Sequence, residues 1–162
     1  MSELQHSVEQ FLYSQADLCD RKDWDAYIDT FTPDSEFWIP QWDSEHEYID
    51  NPKTGMSLIY YANRSGIEDR VFRLRTGKSA ASNPLPRTLH QISNVKVREL
   101  SDGKIEAQFG WQTNYTRLGS TEMLYGTATL NLVKQAGEWK VQRKHTVIFN
   151  DIINSVMDFY HV

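Results

Sequence analysis

Alternation of apolar and polar residues in the second half of the chain is the feature that most constrains its fold. Between Thr88 and Phe149, four segments alternate in this way, and Ile105–Tyr115 carries apolar or aromatic residues at most odd positions. A period of two is typical of a strand with one buried face. The connectors are short and contain glycine, which favours hairpins: Ser101–Gly103, Leu118–Ser120 and Gln135–Gly137. The pattern predicts an antiparallel meander, a main sheet over 88–149, with one face in need of cover.

The first of these strands changes face partway along. Ile92 lies on the even-numbered face, whereas Val95 and Val97 lie on the odd-numbered face. One extra residue turns every later side chain of a strand over, so a β-bulge is predicted near Ser93–Asn94.

The first half of the chain is mostly helical by pattern. Apolar residues recur at helical spacing over 3–20, 24–31 and 57–75. Glu36–Pro40 is a short apolar segment that ends in proline, which favours an edge strand. Helices followed by a meander predict one α+β domain over 1–162, with N-terminal helices packed on a strongly curved antiparallel sheet and a cavity between the two layers.

Composition excludes several classes of function. The 162 residues carry a net charge of −5, which argues against binding to a nucleic-acid backbone. A single cysteine, Cys19, excludes an internal disulfide and a multi-cysteine metal site. No segment has the pattern of a signal peptide or a membrane span, so we expect a cytoplasmic protein.

One set of residues suggests a catalytic pocket. In the last strand, Arg143 and His145 fall on the same odd-numbered face as the apolar Trp139. Together with Asp34 as an acid and Tyr115 as a hydroxyl group, they would supply general acid–base groups. The alternative is that this arginine and histidine are structural and pair with carboxylates.

Two stretches take the interpretation further. The segment 57–75 contains Glu-Asp-Arg-Val-Phe at 68–72, and it is followed by Pro-Arg-Thr at 86–88 and His90. These stretches resemble the small (β) subunit of the aromatic-ring-hydroxylating, Rieske non-haem iron dioxygenases, near the benzoate, anthranilate and halobenzoate members. Tyr27, Phe31 and Asp34, followed by Phe37-Trp38, resemble the helix-to-strand junction of the wider NTF2-like fold.

The resemblance implies a partner. Family members are oxygenases of α and β subunits, usually three of each, and a reductase delivers electrons from NADH to the α subunit. The Rieske cluster and the mononuclear Fe(II) are expected in that α subunit and no cofactor in this chain, whose single cysteine cannot supply a Rieske centre. The product would be a cis-diol or a catechol, and the chain alone could form a homotrimer.

The resemblance also singles out polar and aromatic residues without an obvious catalytic pattern. They are Tyr60, Tyr61, Arg64, Asp69, Arg70, Arg73, Arg87 and His90. Arginine and tyrosine are enriched at protein interfaces, so these residues either contact a partner subunit or brace helix against sheet within the chain.

Three functions remain open from the sequence. The first is a structural β subunit of a ring-hydroxylating dioxygenase. The second is an independent dehydratase or isomerase that uses His145, Asp34 and Tyr115. The third is a ligand-binding or scaffold domain of the same fold.

Overall fold

The described part of the chain forms three α-helices and one six-stranded sheet. A computed structural model describes residues 2–162. The helices are α1 (Ser2–Asp20), α2 (Trp24–Asp29) and α3 (Ser65–Arg75). The strands are β1 (Phe31–Pro40), β2 (Ser57–Tyr61), β3 (Arg87–Glu99), β4 (Ile105–Arg117), β5 (Ser120–Gln135) and β6 (Glu138–Ile148). Short 3₁₀ turns lie at Ala80–Ser82, Ser101–Gly103 and Phe159–His161.

The strand order is β2-β1-β6-β5-β4-β3, so the predicted antiparallel meander forms the larger part of the sheet. The turns at Leu118-Gly119 and Ala136-Gly137 have positive φ at both residues, as tight two-residue hairpins require. The complete sheet is mixed rather than purely antiparallel, because β1 joins β6 in parallel. Parallel pairing is possible because β1 and β6 are joined by a long stretch of chain and not by a hairpin.

Three segments differ from their predicted structure. The helix predicted over 57–75 is wrong at its start, since Ser57–Tyr61 is β2, and only Ser65–Arg75 is helical. Pairing with β1 overrides the helical spacing of Leu58, Ile59 and Tyr61. The segment 36–40 is not at an edge, because β1 lies between β2 and β6. The helix predicted over 24–31 ends at Asp29, and Phe31 already belongs to β1.

Two bulges decide which side chains face the helices. The predicted bulge in β3 is present: the register with β4 shifts between Ser93 and Lys96, and Asn94 has a φ of 55°. A second register shift lies in β6, opposite Asn131 and Leu132 of β5. This shift turns the later residues of β6 over, so Lys144 is buried toward the helices and His145 lies on the outer face.

The helices and the C-terminal segment cover one face of the sheet. α1 is tied to it by hydrogen bonds from Gln5 Nε2 to the Val95 carbonyl (2.9 Å) and from Trp139 Nε1 to Ser7 Oγ (2.9 Å). At the other end, the buried Phe159 ring packs against Trp24 at 5.3 Å between ring centres. The C-terminal segment is therefore part of the core.

Candidate functional site

The interior cavity between α1 and the sheet is the first candidate site. Its volume is about 30 Å³. Its lining combines apolar side chains with polar groups from four elements. The polar groups include Gln15 and Cys19 of α1, Tyr27 of α2, His90 of β3, and Lys144 and Thr146 of β6. Since one water molecule needs at least about 10–15 Å³ of such space, the cavity has room for one or two waters and is too small for an aromatic ring.

Lys144 is a buried amine with few partners. Its Nζ donates to the carbonyl oxygen of Val162 at 3.4 Å and lies 5.5 Å from the centre of the Phe37 ring. Among the described residues, no Asp or Glu side chain lies within 4.0 Å of this nitrogen. Burial lowers the pKa of Lys144 to about 8 because the charged form is poorly solvated.

His90 of the cavity wall forms a polar pair with Asp20 at the end of α1. The Asp20 carboxylate accepts hydrogen bonds from the His90 backbone N–H (3.0 Å) and Thr88 Oγ1 (2.9 Å), and it contacts His90 Nδ1. Burial opposes ionisation of Asp20, but the bonds from His90 and Thr88 outweigh it and lower the pKa of the carboxyl. With Nδ1–H directed at the carboxylate, Nε2 of a neutral His90 is left as an acceptor.

Lys144 gives a testable pH dependence of stability. The pKa of its amine is about 8 in the fold and about 10.5 when unfolded, so the unfolded chain binds more protons between these values. Stability rises with pH wherever the unfolded state binds more protons. We therefore expect the free energy of unfolding of the wild type, relative to Lys144→Met, to increase from pH 8 to 10.

Urea unfolding of both proteins at each pH measures that difference. The comparison with the variant is necessary because Cys19 makes the free energy of unfolding fall, rather than rise, as the pH increases. Burial raises the pKa of its thiol to about 12, so its contribution to stability is lost as pH rises above about 9. Cys19 is present in both proteins and cancels to first order; a constant difference across this range would contradict the assignment.

The proposed acid–base set of Asp34, Tyr115, Arg143 and His145 is not brought together. The expectation that Arg143 and His145 share a face with Trp139 is wrong, because the β6 bulge lies between them. His145 stacks on Trp38 of β1, with ring centres 4.5 Å apart, on the outer face. Burial, aided by Arg143 and opposed by Glu36, lowers the pKa of His145 to about 4.

The other two members lie elsewhere. Tyr115 pairs with Glu122 of β5, whereas His145 pairs with Thr129, seven residues further along that strand. At about 3.3 Å per residue this places the two backbones roughly 23 Å apart along the strand. Asp34 is exposed and accepts a hydrogen bond from Thr32 Oγ1 at 2.6 Å. Arg143 pairs with Glu36 at 3.0 Å, as the structural alternative predicted.

Five of the eight residues singled out by resemblance make contacts within the chain. Tyr60 donates to Glu36 (3.1 Å), and Tyr61 packs on Phe37 with ring centres 5.9 Å apart. Arg64 donates to the Phe31 carbonyl (2.9 Å) and pairs with Glu68 (2.8 Å). His90 binds Asp20, as described above. Arg70 pairs with Asp158 at 2.6 Å and donates to Ser79 and Ser82.

The remaining three, Asp69, Arg73 and Arg87, are exposed. Within residues 2–162 their side chains make no hydrogen bond or ion pair. Phe72 lies beside Asp69 and Arg73 on α3, and 69% of its surface is exposed. Asp69, Phe72 and Arg73 together form an exposed surface of α3, called here the α3 outer face.

The described residues contain neither a cluster of metal ligands nor a membrane-spanning helix. Across 2–162, no three His, Cys, Asp or Glu side chains are grouped so that they could hold one metal ion. None of the helices in the same range is long and apolar enough to cross a bilayer.

Comparison with known proteins places the chain in a family. Residues 14–155 match the family described as "Ring hydroxylating beta subunit". The chain is 54% identical over 160 residues to the anthranilate 1,2-dioxygenase small subunit of Acinetobacter baylyi, covering 99% of this chain and 98% of that one. It is 40% identical over 155 residues to the 2-halobenzoate 1,2-dioxygenase small subunit of Burkholderia cepacia, covering 96% and 94%.

A solved structure gives the same result at the level of the fold. The crystal structure of the benzoate 1,2-dioxygenase β subunit of Burkholderia mallei is 34% identical, with a TM-score of 0.80 over 96% of this chain and 95% of that chain. The predicted α+β, NTF2-like fold and the predicted family are thus confirmed. The chain belongs to the family of β subunits of ring-hydroxylating dioxygenases.

Proposed function

We propose that this chain is the non-catalytic, structural subunit of an oxygenase that dihydroxylates a carboxylated monocyclic arene. The identity of 54% with an anthranilate 1,2-dioxygenase small subunit over nearly the whole chain is the observation that carries the proposal. The arene would be of the anthranilate or benzoate type, and the product a cis-diol or a catechol. Molecular oxygen and NADH-derived electrons would be the co-substrates.

The chemistry of this chain supports a non-catalytic role. The interior cavity, at about 30 Å³, is far smaller than the several hundred Å³ of a site for an organic ligand. The polar residues picked out by the family resemblance mostly bond within the chain, as Arg70 does with Asp158. Iron and the Rieske cluster would be held by the α subunit, to which a reductase passes electrons.

Membership of the family implies an α-subunit partner. We propose an assembly of three α and three β subunits, with the α3 outer face (Asp69, Phe72 and Arg73) as one contact. An exposed phenylalanine flanked by unpaired opposite charges is suited to an interface, since aromatic and arginine side chains are enriched there.

Charge reversal on α3 tests this contact. We expect Asp69→Lys combined with Arg73→Glu to weaken association with the α subunit by about tenfold or more, because like charges would then oppose each other across the interface. Titration of labelled β variants with the α subunit, followed by size-exclusion chromatography, measures the change. The variant should keep its thermal unfolding midpoint, since neither side chain bonds within the chain.

A matched control is Lys96→Glu with Glu99→Lys on β3, where both residues are exposed and unpaired in the described structure. If the α3 variant binds the α subunit with unchanged affinity, the α3 outer face is not part of the interface. Failure of the wild-type chain to co-elute with any iron-bearing subunit would instead contradict the proposed function itself.

A further inference from the structure

We propose that the interior cavity is a built hydration site, in which one or two ordered water molecules join the Lys144 amine to the Asp20–His90 pair. The site belongs to this chain alone and does not depend on the proposed function.

The size and the lining of the cavity both favour water. The volume of about 30 Å³ leaves room for one or two waters, each of which needs at least about 10–15 Å³. Cavities lined only by apolar groups stay empty, whereas buried waters occupy places with several unpaired polar atoms. Within the described residues, three buried atoms of this lining have no hydrogen-bond partner: Tyr27 Oη, His90 Nε2 and Thr146 Oγ1.

The balance of donors and acceptors identifies the ligand. Lys144 has three N–H groups and directs one at the Val162 carbonyl, so two remain. In the neutral tautomer that donates Nδ1–H to Asp20, Nε2 of His90 is an acceptor. Water accepts from the amine and donates to Nε2, and the hydroxyl groups of Tyr27 and Thr146 can act in either sense. A halide ion could accept from Lys144 but could not satisfy Nε2.

Water in the cavity would link Lys144 of the sheet to the Asp20–His90 pair. No direct hydrogen bond links Lys144 to His90, so hydrogen bonding between them would have to pass through the ligand. The chain of contacts would run from the end of α1 at Asp20, through His90 of β3, to Lys144 of β6. It would therefore hydrogen-bond the helical layer to two strands across the cavity.

A crystal structure of the full chain, grown with bromide, tests the proposal directly. We expect density within hydrogen-bond distance of both Lys144 Nζ and His90 Nε2, without an anomalous bromide signal. An empty cavity would overturn the proposal, and so would a bromide ion in that position.

A double-mutant cycle gives an independent test in solution. We expect Lys144→Met and His90→Gln to be non-additive by at least about threefold in the unfolding equilibrium constant. Thr146→Val replaces Lys144→Met if the latter fails to fold. The control pair is Lys144→Met with Arg98→Met, which removes an exposed side chain on β3 and should be additive. Additivity in the His90 cycle would contradict a bridging water.

Discussion

Replacing Asp158 with alanine is expected to destabilise the fold by about 3–5 kcal/mol, because it leaves a largely buried arginine without its counter-charge. The Asp158 side chain is 3% exposed, and its Oδ2 lies 2.6 Å from Arg70 Nη2. Its Oδ1 also accepts the Phe159 backbone N–H at 2.9 Å. The substitution thus removes the ion pair and the cap of the buried C-terminal segment at once.

The matched control is Asp25→Ala. Asp25 pairs with Arg75 at 2.9 Å, but its side chain is 81% exposed. An exposed pair contributes between about 0 and 1 kcal/mol, so this variant should unfold close to the wild type. Equilibrium unfolding in urea measures both. Equal effects of the two substitutions would show that the Arg70–Asp158 pair does not hold the C-terminal segment.

Gly126→Ala is expected to cost at least about 3 kcal/mol, at the upper end of what overpacking does. A Cβ atom on Gly126 would lie 1.9 Å from the backbone oxygen of Val147 on the paired strand β6. Backbone in a paired strand cannot turn away as a side chain can, so β5 and β6 would have to separate locally. Loss of soluble, folded protein would be the extreme form of the same result.

Gly110→Ala, on the neighbouring strand β4, is the control. Its nearest neighbour would be Ser93 Oγ at 3.2 Å, which is a side-chain atom that can rotate. Thermal unfolding followed by circular dichroism compares the two variants. A Gly126→Ala protein as stable as Gly110→Ala would mean that the close approach of β6 to β5 is not required.

The sequence was most informative where one physical cause acts along a whole segment. Alternating burial determines the strands β4 and β5, and Ile105–Tyr115 keeps its predicted inward face throughout. The bulge in β3 was predictable because apolar residues stand on both sides of the slip, Ile92 before it and Val95 after it.

The second bulge left no such signal. After Val141, the next inward residues of β6 are Lys144 and Thr146, which are polar, and an apolar residue returns to that face only at Ile148, the last residue of the strand. An apolar pattern therefore could not report the change of face. For this reason the sequence placed His145 on the covered side and passed over Lys144. A lysine in a strand is ordinarily exposed, and only the bulge buries this one.

Two other parts of the fold depend on partners distant in sequence. Ser57–Tyr61 has helical spacing but is a strand because it pairs with β1. The segment 150–162 has no period, yet Phe159 and Tyr160 are buried through their contacts with Trp24 and Ser82. Local pattern cannot reveal either case, because tertiary contacts override propensity.

The family resemblance picked out structurally important residues, but it did not show whether each one contacts a partner or stabilises the chain itself. It singled out Arg70 and His90, and both prove to be anchors within the chain. Of the same set, the side chains of Asp69, Arg73 and Arg87 make no hydrogen bond or ion pair within residues 2–162. Residues that brace the fold and residues that could contact a partner are of the same types, arginine, aspartate and tyrosine. Only the ion pairs and hydrogen bonds of the structure distinguish the two groups.

The most direct test of the central claim, that the chain supports an iron-dependent oxygenase without doing its chemistry, is metal analysis combined with turnover. The full chain is purified alone, its iron content is measured, and it is assayed with arene, oxygen and NADH, with the reductase present, before and after addition of the α subunit. We expect no stoichiometric iron and no product until the α subunit is added. One iron atom per isolated chain, or product formed by that chain and the reductase alone, would contradict it.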